Sequence, residues 1–364
     1  MRQPPNNTSL TTAERKQQHI SVCANENVET GDNFTGFSDV ALLPCTLPEL
    51  NWSDIDVRMR FLQHQFNAPL MIAGMTFGIE EGDKINRRLA TCAASAGIPM
   101  GIGSQRVALE DQQPQKYRDL KRNNPTLYLI ANLGSSHLQR DRCLQAVEMV
   151  EADALAIHLN ILQELVQAGG NRNFAGTLQN LATVALDFPV PIIVKEVGSG
   201  IDVQTAKRLH ACGVAAIDVG GKGGTAWGWV EGLCAEERAR VATTFRDWGI
   251  PTAFNTLVVR QALPTAELIA TGGIRTGLDI AKALALGANC GGVGLPLLRA
   301  ALVSTAAVAA VIETYIEELK MAMLATGSRT LDQLPQALCY KHPYYDEFQR
   351  LLRKGAHIAQ ADNC

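Results

Sequence analysis

Apolar and polar positions alternate along this chain in a long, regular rhythm. Short β-prone apolar runs occupy residues 68–75, 99–104, 126–134, 154–160, 191–198, 215–221, 267–273 and 290–295, eight in all. Each run is nearly continuous in its hydrophobicity, as expected of strands buried on both faces of a parallel sheet. The segments between them carry helical spacing. Residues 81–96 place Ile85, Leu89 and Cys92 on one face, while residues 202–212 begin at an N-cap-type Asp202 and stop before Gly213. Residues 279–286 repeat that form, from Asp279 to Gly287. Eight β-then-α units over ~230 residues predict a (β/α)8 (TIM) barrel. An open doubly wound sheet is the alternative, but the first run ends in Gly74-Met75-Thr76-Phe77-Gly78, not in Gly-x-Gly-x-x-Gly. The wide interval between residues 221 and 267 leaves room for an extended loop beyond one helix. An amphipathic stretch over 304–326 reads as the eighth barrel helix. The expected organisation is therefore an N-terminal extension over the barrel mouth with a substrate-clamping segment (1–67), a barrel (68–326) and a C-terminal tail (327–364). The first ~20 residues, with Pro4 and Pro5 in a polar setting, are expected to be mobile.

Composition adds exclusions. The 364 residues are 46% hydrophobic and 19% charged, enough apolar mass for a large core. With 33 basic and 36 acidic side chains the net charge is −3, which argues against a nucleic-acid coat but is silent about a small anionic ligand. Nine cysteines include no Cys-x-x-Cys, so reduced buried thiols are expected and not a disulfide framework or zinc site. The start has no apolar signal core and no apolar stretch reaches 18 residues, so a cytoplasmic protein without a membrane span is expected.

A barrel of this kind holds its active site at the C-terminal strand ends. Those ends are polar here: Met75-Thr76, Ser104-Gln105-Arg106, Asn132, His158 with Asn160, Lys195-Glu196, Asp218 through Thr225, Gly272-Gly273 and Gly294. Gly272-Gly273-Ile274-Arg275 and Gly291-Gly292-Val293-Gly294 fall where barrels hold phosphate, and Gly220-Gly221-Lys222-Gly223-Gly224-Thr225 adds a third small-residue turn. Together they point to a phosphorylated cofactor. Lys195, inside Ile192-Ile193-Val194-Lys195-Glu196, must face the barrel mouth or be desolvated. A Schiff-base lysine, a salt-bridged lysine and a cation beside an electron-rich cofactor ring are the open readings; beside phosphate loops, the last describes a flavin site. His158 and Asn160 lie two apart on a strand, with Gln163 and Glu164 in the loop above. That carboxylate among amides and an imidazole suits a hard cation completed by water and substrate phosphate. Upstream, Arg15-Lys16-Gln17-Gln18-His19 reads as a solvated basic face or as a segment folding over the mouth to clamp phosphate.

As a set, these motifs resemble the flavin-dependent, type 2 isopentenyl-diphosphate isomerases. The resemblance runs from about Arg15 to Ala300. It rests on Arg-Lys-x-x-His-Ile at 15–20, Gly-Met-Thr-x-Gly at 74–78, Gly-Ser-Gln-Arg at 103–106 and Ala-Asn-Leu-Gly at 131–134. It continues with His-Leu-Asn-x-x-Gln-Glu at 158–164, Val-Lys-Glu-Val-Gly at 194–198, Gly-Gly-Thr-x-Trp at 223–227 and Gly-Gly-Ile-Arg at 272–275. It implies FMN, Mg²⁺ and NAD(P)H, with NADPH preferred, and a homo-oligomer (tetramer or octamer). FMN would be held by Gly74, Met75, Thr76, Ser104, Asn132, Lys195, Thr225, Gly272, Gly273, Ile274, Gly294 and Leu295. Glu164 would bind the metal. Arg15, Lys16, His19, Arg106, His158, Asn160 and Gln163 would surround the diphosphate and allylic chain. Phe77 departs from the family, which more usually has glycine there, so a local rearrangement near the flavin is expected.

The implied reaction moves a double bond by one carbon without net redox change. It needs an acid strong enough for an unactivated alkene and a base to collect a proton, and no Cys or Glu pair in the sequence stands out for both. Reduced FMN is the expected acid–base group, with Gln163 and His158 as the protein's catalytic side chains and NAD(P)H priming the flavin. An FMN-dependent 2-hydroxy-acid oxidase or dehydrogenase is the competing enzyme class. It would need a histidine near the later strand ends, and residues 221–294 contain none. A non-catalytic flavin-binding scaffold is the third class.

Overall fold

The computed structural model describes residues 11–109 and 117–340. The expected mobility of residues 1–10, and the tail beyond residue 340, lie outside the described residues. Eight parallel strands close on themselves: β1 (Leu70–Ile72), β2 (Met100–Gly101), β3 (Leu129–Gly134), β4 (Ala154–Leu159), β5 (Ile192–Glu196), β6 (Ala216–Asp218), β7 (Glu267–Thr271) and β8 (Cys290–Val293). Each pairs with its neighbours in sequence, and β8 returns to β1 through Gly291↔Leu70 and Val293↔Ile72. One strand falls inside each of the eight apolar runs. The strands are short because the runs continue into the loops that form the rim.

The helices are α1 (Thr12–Asn25), α2 (Glu80–Ala96), α3 (Arg140–Val150), α4 (Ile161–Val166), α5 (Thr177–Ala185), α6 (Val203–Ala211), α7 (Trp227–Cys234), α8 (Thr252–Ala262), α9 (Gly277–Ala285), α10 (Leu295–Val303) and α11 (Thr305–Ala325). Single helical turns occupy Arg106–Leu109, Asp119–Arg122 and Ala239–Thr244. α2 buries Ile85, Leu89 and Cys92 against the barrel, and α6 is capped by Asp202, whose side chain accepts from Thr205 N at 2.9 Å.

Four local expectations change. α9 begins two residues early, because Thr276 is the cap and Asp279 closes a capping box as its third residue. The interval after β6 holds helices α7 and α8 in place of an extended loop. α10 intervenes between β8 and the expected eighth helix, α11, which Ser304 caps and which packs on α9, α10 and α2. Residues 12–20, expected to be mobile, lie in α1; Thr11 and Glu14 form its capping box, and Ile20 and Cys23 are buried.

Interior positions follow the period of two along each strand. At the N-terminal end, Ile130, Ala156, Ile193, Ala216, Ile269 and Cys290 pack with Phe61 and Phe66 of a hairpin, Met59–Phe61 with His64–Phe66, that plugs the barrel. One layer up, the same alternation sends Asn132, His158, Lys195, Asp218 and Thr271 inward. The floor is greasy and the mouth is polar. Beyond α1 the chain lies along the rim: Thr30 N donates to Gly224 O (3.1 Å) and Ala253 N to Thr35 O (2.9 Å). Val40–Leu42 then pairs antiparallel with Leu338–Tyr340. No described helix is long and apolar enough to cross a membrane.

Candidate active site

A cavity opens at the C-terminal end of the barrel, with α1 across it. All of the residues expected to bind cofactor, substrate or metal line this cavity except Ile274. The Ile274 side chain is turned into the core and is 1% exposed. Gln163 and Glu164 reach the cavity from the first turns of helix α4, not from a loop, with Asn160 as the residue that starts the helix.

α1 is pinned to the rim through Lys16, whose Nζ donates to Ser104 O at 2.7 Å and to Phe77 O. Phe77 itself points away from the cavity; its ring is buried against Tyr117, centroids 5.0 Å apart. The rearrangement expected at this position is therefore a side chain absorbed by the core, with Met75 and Thr76 still facing the mouth.

His158 sits beside Asn132, Nδ1 to Oδ1 at 2.8 Å. The amide's orientation follows from its other bond, Nδ2 donating to Ile102 O at 2.9 Å. Oδ1 is thus an acceptor, and neutral His158 carries its proton on Nδ1, leaving the Nε2 lone pair free to accept. Burial pushes the His158 imidazole down to about 3, and the positive charges of Lys195, Arg106 and Lys16 add to that. The residue is a neutral acceptor, not a resting acid.

Two residues beside the site were given no role by sequence reasoning: Glu231, which it passed over, and Trp227, which it quoted only as part of a motif. Glu231, on α7, is 3% exposed; its Oε1 accepts from Gln163 Nε2 at 2.8 Å and lies 3.1 Å from His19 Nε2. Trp227, four residues earlier, meets the His19 ring edge-on at 5.5 Å. The signal was present: Glu231 is the only charged residue of α7, Trp-Gly-Trp-Val-Glu-Gly-Leu-Cys. Arg275, also on the cavity wall, is ion-paired with Glu29.

The Gly-rich turns serve two different needs. At Gly272 (φ +113°) a Cβ would lie 2.0 Å from Gly221 O, so that glycine is demanded by backbone packing. At Gly294 a Cβ would meet only Met75 and Ala73 atoms at 3.7–3.9 Å, on the cavity side. Gly294 also starts α10; Pro296 carries no N–H, and Leu297 N and Leu298 N donate back to Gly294 O (2.9 and 3.0 Å), so this turn offers an anion the Leu295 N–H and the positive end of the helix dipole. Glu164 is held in place by Asn160 Nδ2 (3.2 Å to Oε1) and Asn171 N (2.7 Å to Oε2). Among the described residues no group of three or more His, Cys, Asp or Glu side chains could hold a metal by itself. Glu164 would thus supply one ligand to a cation that keeps its waters and shares a substrate phosphate.

Comparison with known proteins accounts for this arrangement. The family model described as FMN-dependent dehydrogenase matches residues 160–341, half of the chain. The isopentenyl-diphosphate delta-isomerase of Nostoc sp. is 43% identical over 340 residues, covering 92% of this chain and 97% of that protein. The chain belongs to the isopentenyl-diphosphate delta-isomerase family. A second member, from the archaeon Methanothermobacter thermautotrophicus, is 42% identical over 89% of this chain and 92% of its own length. A crystal structure of a mandelate oxidase with benzoyl-formic acid superposes with a TM-score of 0.64, covering 90% of this chain and 98% of that one at 18% identity. That likeness is one of fold. The family's FMN fits the donors present: the helix start at Gly294-Leu295, where Gly294 leaves room, for a phosphate, and Lys195, Asn132 and Thr225 for the polar edge of a ring.

Proposed function

We propose that this chain is a type 2 isopentenyl-diphosphate isomerase, interconverting isopentenyl and dimethylallyl diphosphate with FMN and Mg²⁺ for isoprenoid synthesis. In this reading it works in the cytoplasm as a homo-oligomer, and NAD(P)H primes the flavin without being consumed at each turnover. The observation that supports it most is the presence of two anion-binding sets in one cavity. The Gly294-Leu295 turn, with the backbone of Gly272-Gly273 on the same cavity wall, suits a cofactor phosphate. Arg15, Lys16 and Arg106, with Glu164 for a metal, suit a diphosphate.

When bound, reduced FMN supplies an acid–base group and an electron-rich ring beside developing positive charge. The chain's own residues bind and orient. His158 offers the Nε2 lone pair to a water beside the metal and diphosphate, with Asn132 holding the ring. Gln163 is fixed by Glu231, so its amide is presented to the cavity in one orientation. α1 closes the mouth and brings Arg15, Lys16 and His19 against the substrate, excluding water that would quench a carbocation-like species.

The test is an anaerobic isomerisation assay of isopentenyl diphosphate with FMN, Mg²⁺ and either NADPH or dithionite. Turnover that requires reduction supports the proposal. Full activity with strictly oxidised FMN, or a protein that takes up no flavin, overturns it.

A further inference from the structure

Lys195 lies in the polar interior layer with one neighbour on each side at the same register, His158 on β4 and Asp218 on β6. In-register side chains of adjacent parallel strands leave the same face ~5 Å apart. His158 is neutral and supplies no counter-charge, while Arg106 and Lys16 add positive charge from the rim. On the other five strands the alternation turns Ala73, Gly103, Asn132, Thr271 and Gly292 inward beside this layer, all uncharged. Glu196 faces the opposite side of β5, and its Oε2 already accepts from the N–H groups of Val197, Gly198 and Ser199. Cys290, one layer below on β8, is a buried thiol held in its neutral form. Asp218 is thus the one carboxylate that faces Lys195 in this layer among the described residues.

Asp218 is built for that place. It is 0% exposed. Its Oδ1 accepts from the Thr271 hydroxyl and from Gly220 N (3.2 Å), which fixes the carboxylate's rotation. Its Oδ2 is buried and has no hydrogen-bond partner. A buried oxygen left bare is costly unless a charge nearby compensates it. Lys195 Nζ meanwhile donates only to the backbone oxygen of Glu196, at 2.9 Å, and not to a carboxylate.

We propose that Asp218 is a positioning residue that keeps Lys195 protonated and directed into the barrel mouth. This rests on the FMN reading of the cavity, because the cation so maintained is the one the chain presents to the cofactor. Asp218 would touch neither substrate nor flavin; it acts through Lys195.

The experiment uses the FMN-loaded protein and sulfite, a probe that adds its lone pair to the oxidised flavin and leaves negative charge on the ring. Its affinity therefore reports the neighbouring cation. Sulfite dissociation constants are measured from pH 6 to 10.5 for wild type, Lys195→Gln and Asp218→Asn, the first variant marking which part of the profile belongs to Lys195. In Asp218→Asn the alkaline fall in affinity moves to lower pH by about one unit or more, a tenfold loss of Lys195 proton affinity. Asp218→Ser, smaller and also neutral, gives the same shift and serves where the asparagine variant does not fold. A merely structural role for Asp218 would not move this profile. A wild-type protein that takes up no FMN overturns the flavin reading and this inference with it. Flavin-loaded wild type and variants whose affinity falls at the same pH overturn this inference alone.

Discussion

His158 stores a pH dependence that can be read without any ligand. The folded chain holds it neutral down to about pH 3, chiefly through burial, whereas in the unfolded chain it titrates near 6.5. Between these values the unfolded state binds one more proton than the native state, so stability rises with pH across the window and is lost as pH falls through it. The perturbation is His158→Gln, compared with wild type by urea unfolding of the cofactor-free protein at pH 7.0 and pH 4.5. At pH 4.5 the native residue is still neutral, so the linkage is set by the free-chain value alone: two pH units at 1.36 kcal/mol each, about 2.7 kcal/mol. The variant forfeits the 2.8 Å bond to Asn132 at both pH values, and that cost cancels in the difference. Wild type should therefore lose about 2.7 kcal/mol more than His158→Gln on acidification. Parallel losses in the two proteins would refute the argument, for they would mean that His158 is protonated in the native barrel above pH 4.5.

Three further outcomes are expected. Glu231→Ala leaves Gln163 Nε2 without its partner in a buried setting, and should cost about 1–3 kcal/mol in urea unfolding together with at least a tenfold fall in kcat. Gly294→Val should weaken FMN binding by about tenfold or more with an unchanged Tm, because its side chain enters the cavity, whereas Gly272→Ala should lower Tm through the 2.0 Å approach to Gly221 O. Phe77→Gly empties a fully buried site and should destabilise the protein by about 3–5 kcal/mol while the visible spectrum of bound flavin persists.

The barrel was readable because strands buried on both faces leave unbroken apolar runs, and because Gly and Asp punctuate the helices. Most of the cavity was readable for a related reason: polar residues at the ends of such runs have no core to join. What escaped depends on contacts between distant segments. Glu231 stands out locally as the one charged residue of α7, but its partners, His19 on α1 and Gln163 on α4, reach it only through the fold. For α1 the place over the mouth was legible and the order was not. Its polar composition suggests a loose arm, yet Thr11-x-x-Glu14 is a capping-box pattern visible in the sequence, and Ile20 and Cys23 dock the helix onto the barrel. Asp218 was counted among the rim residues; the alternation along β6 instead turns it inward, where its charge has a different use.

The pairing of Val40–Leu42 with Leu338–Tyr340 bears on the order in which this protein can mature. A chain made N-terminus first, at ~5–20 residues per second, has its first β-segment ready well before its partner strand exists. During those tens of seconds Val40–Leu42 has no partner strand, and α1 lacks α7 and α10, the later helices on which it docks. The segment that closes the active site is therefore among the first to be synthesised and among the last to find its place, so an unfinished molecule is also an open one.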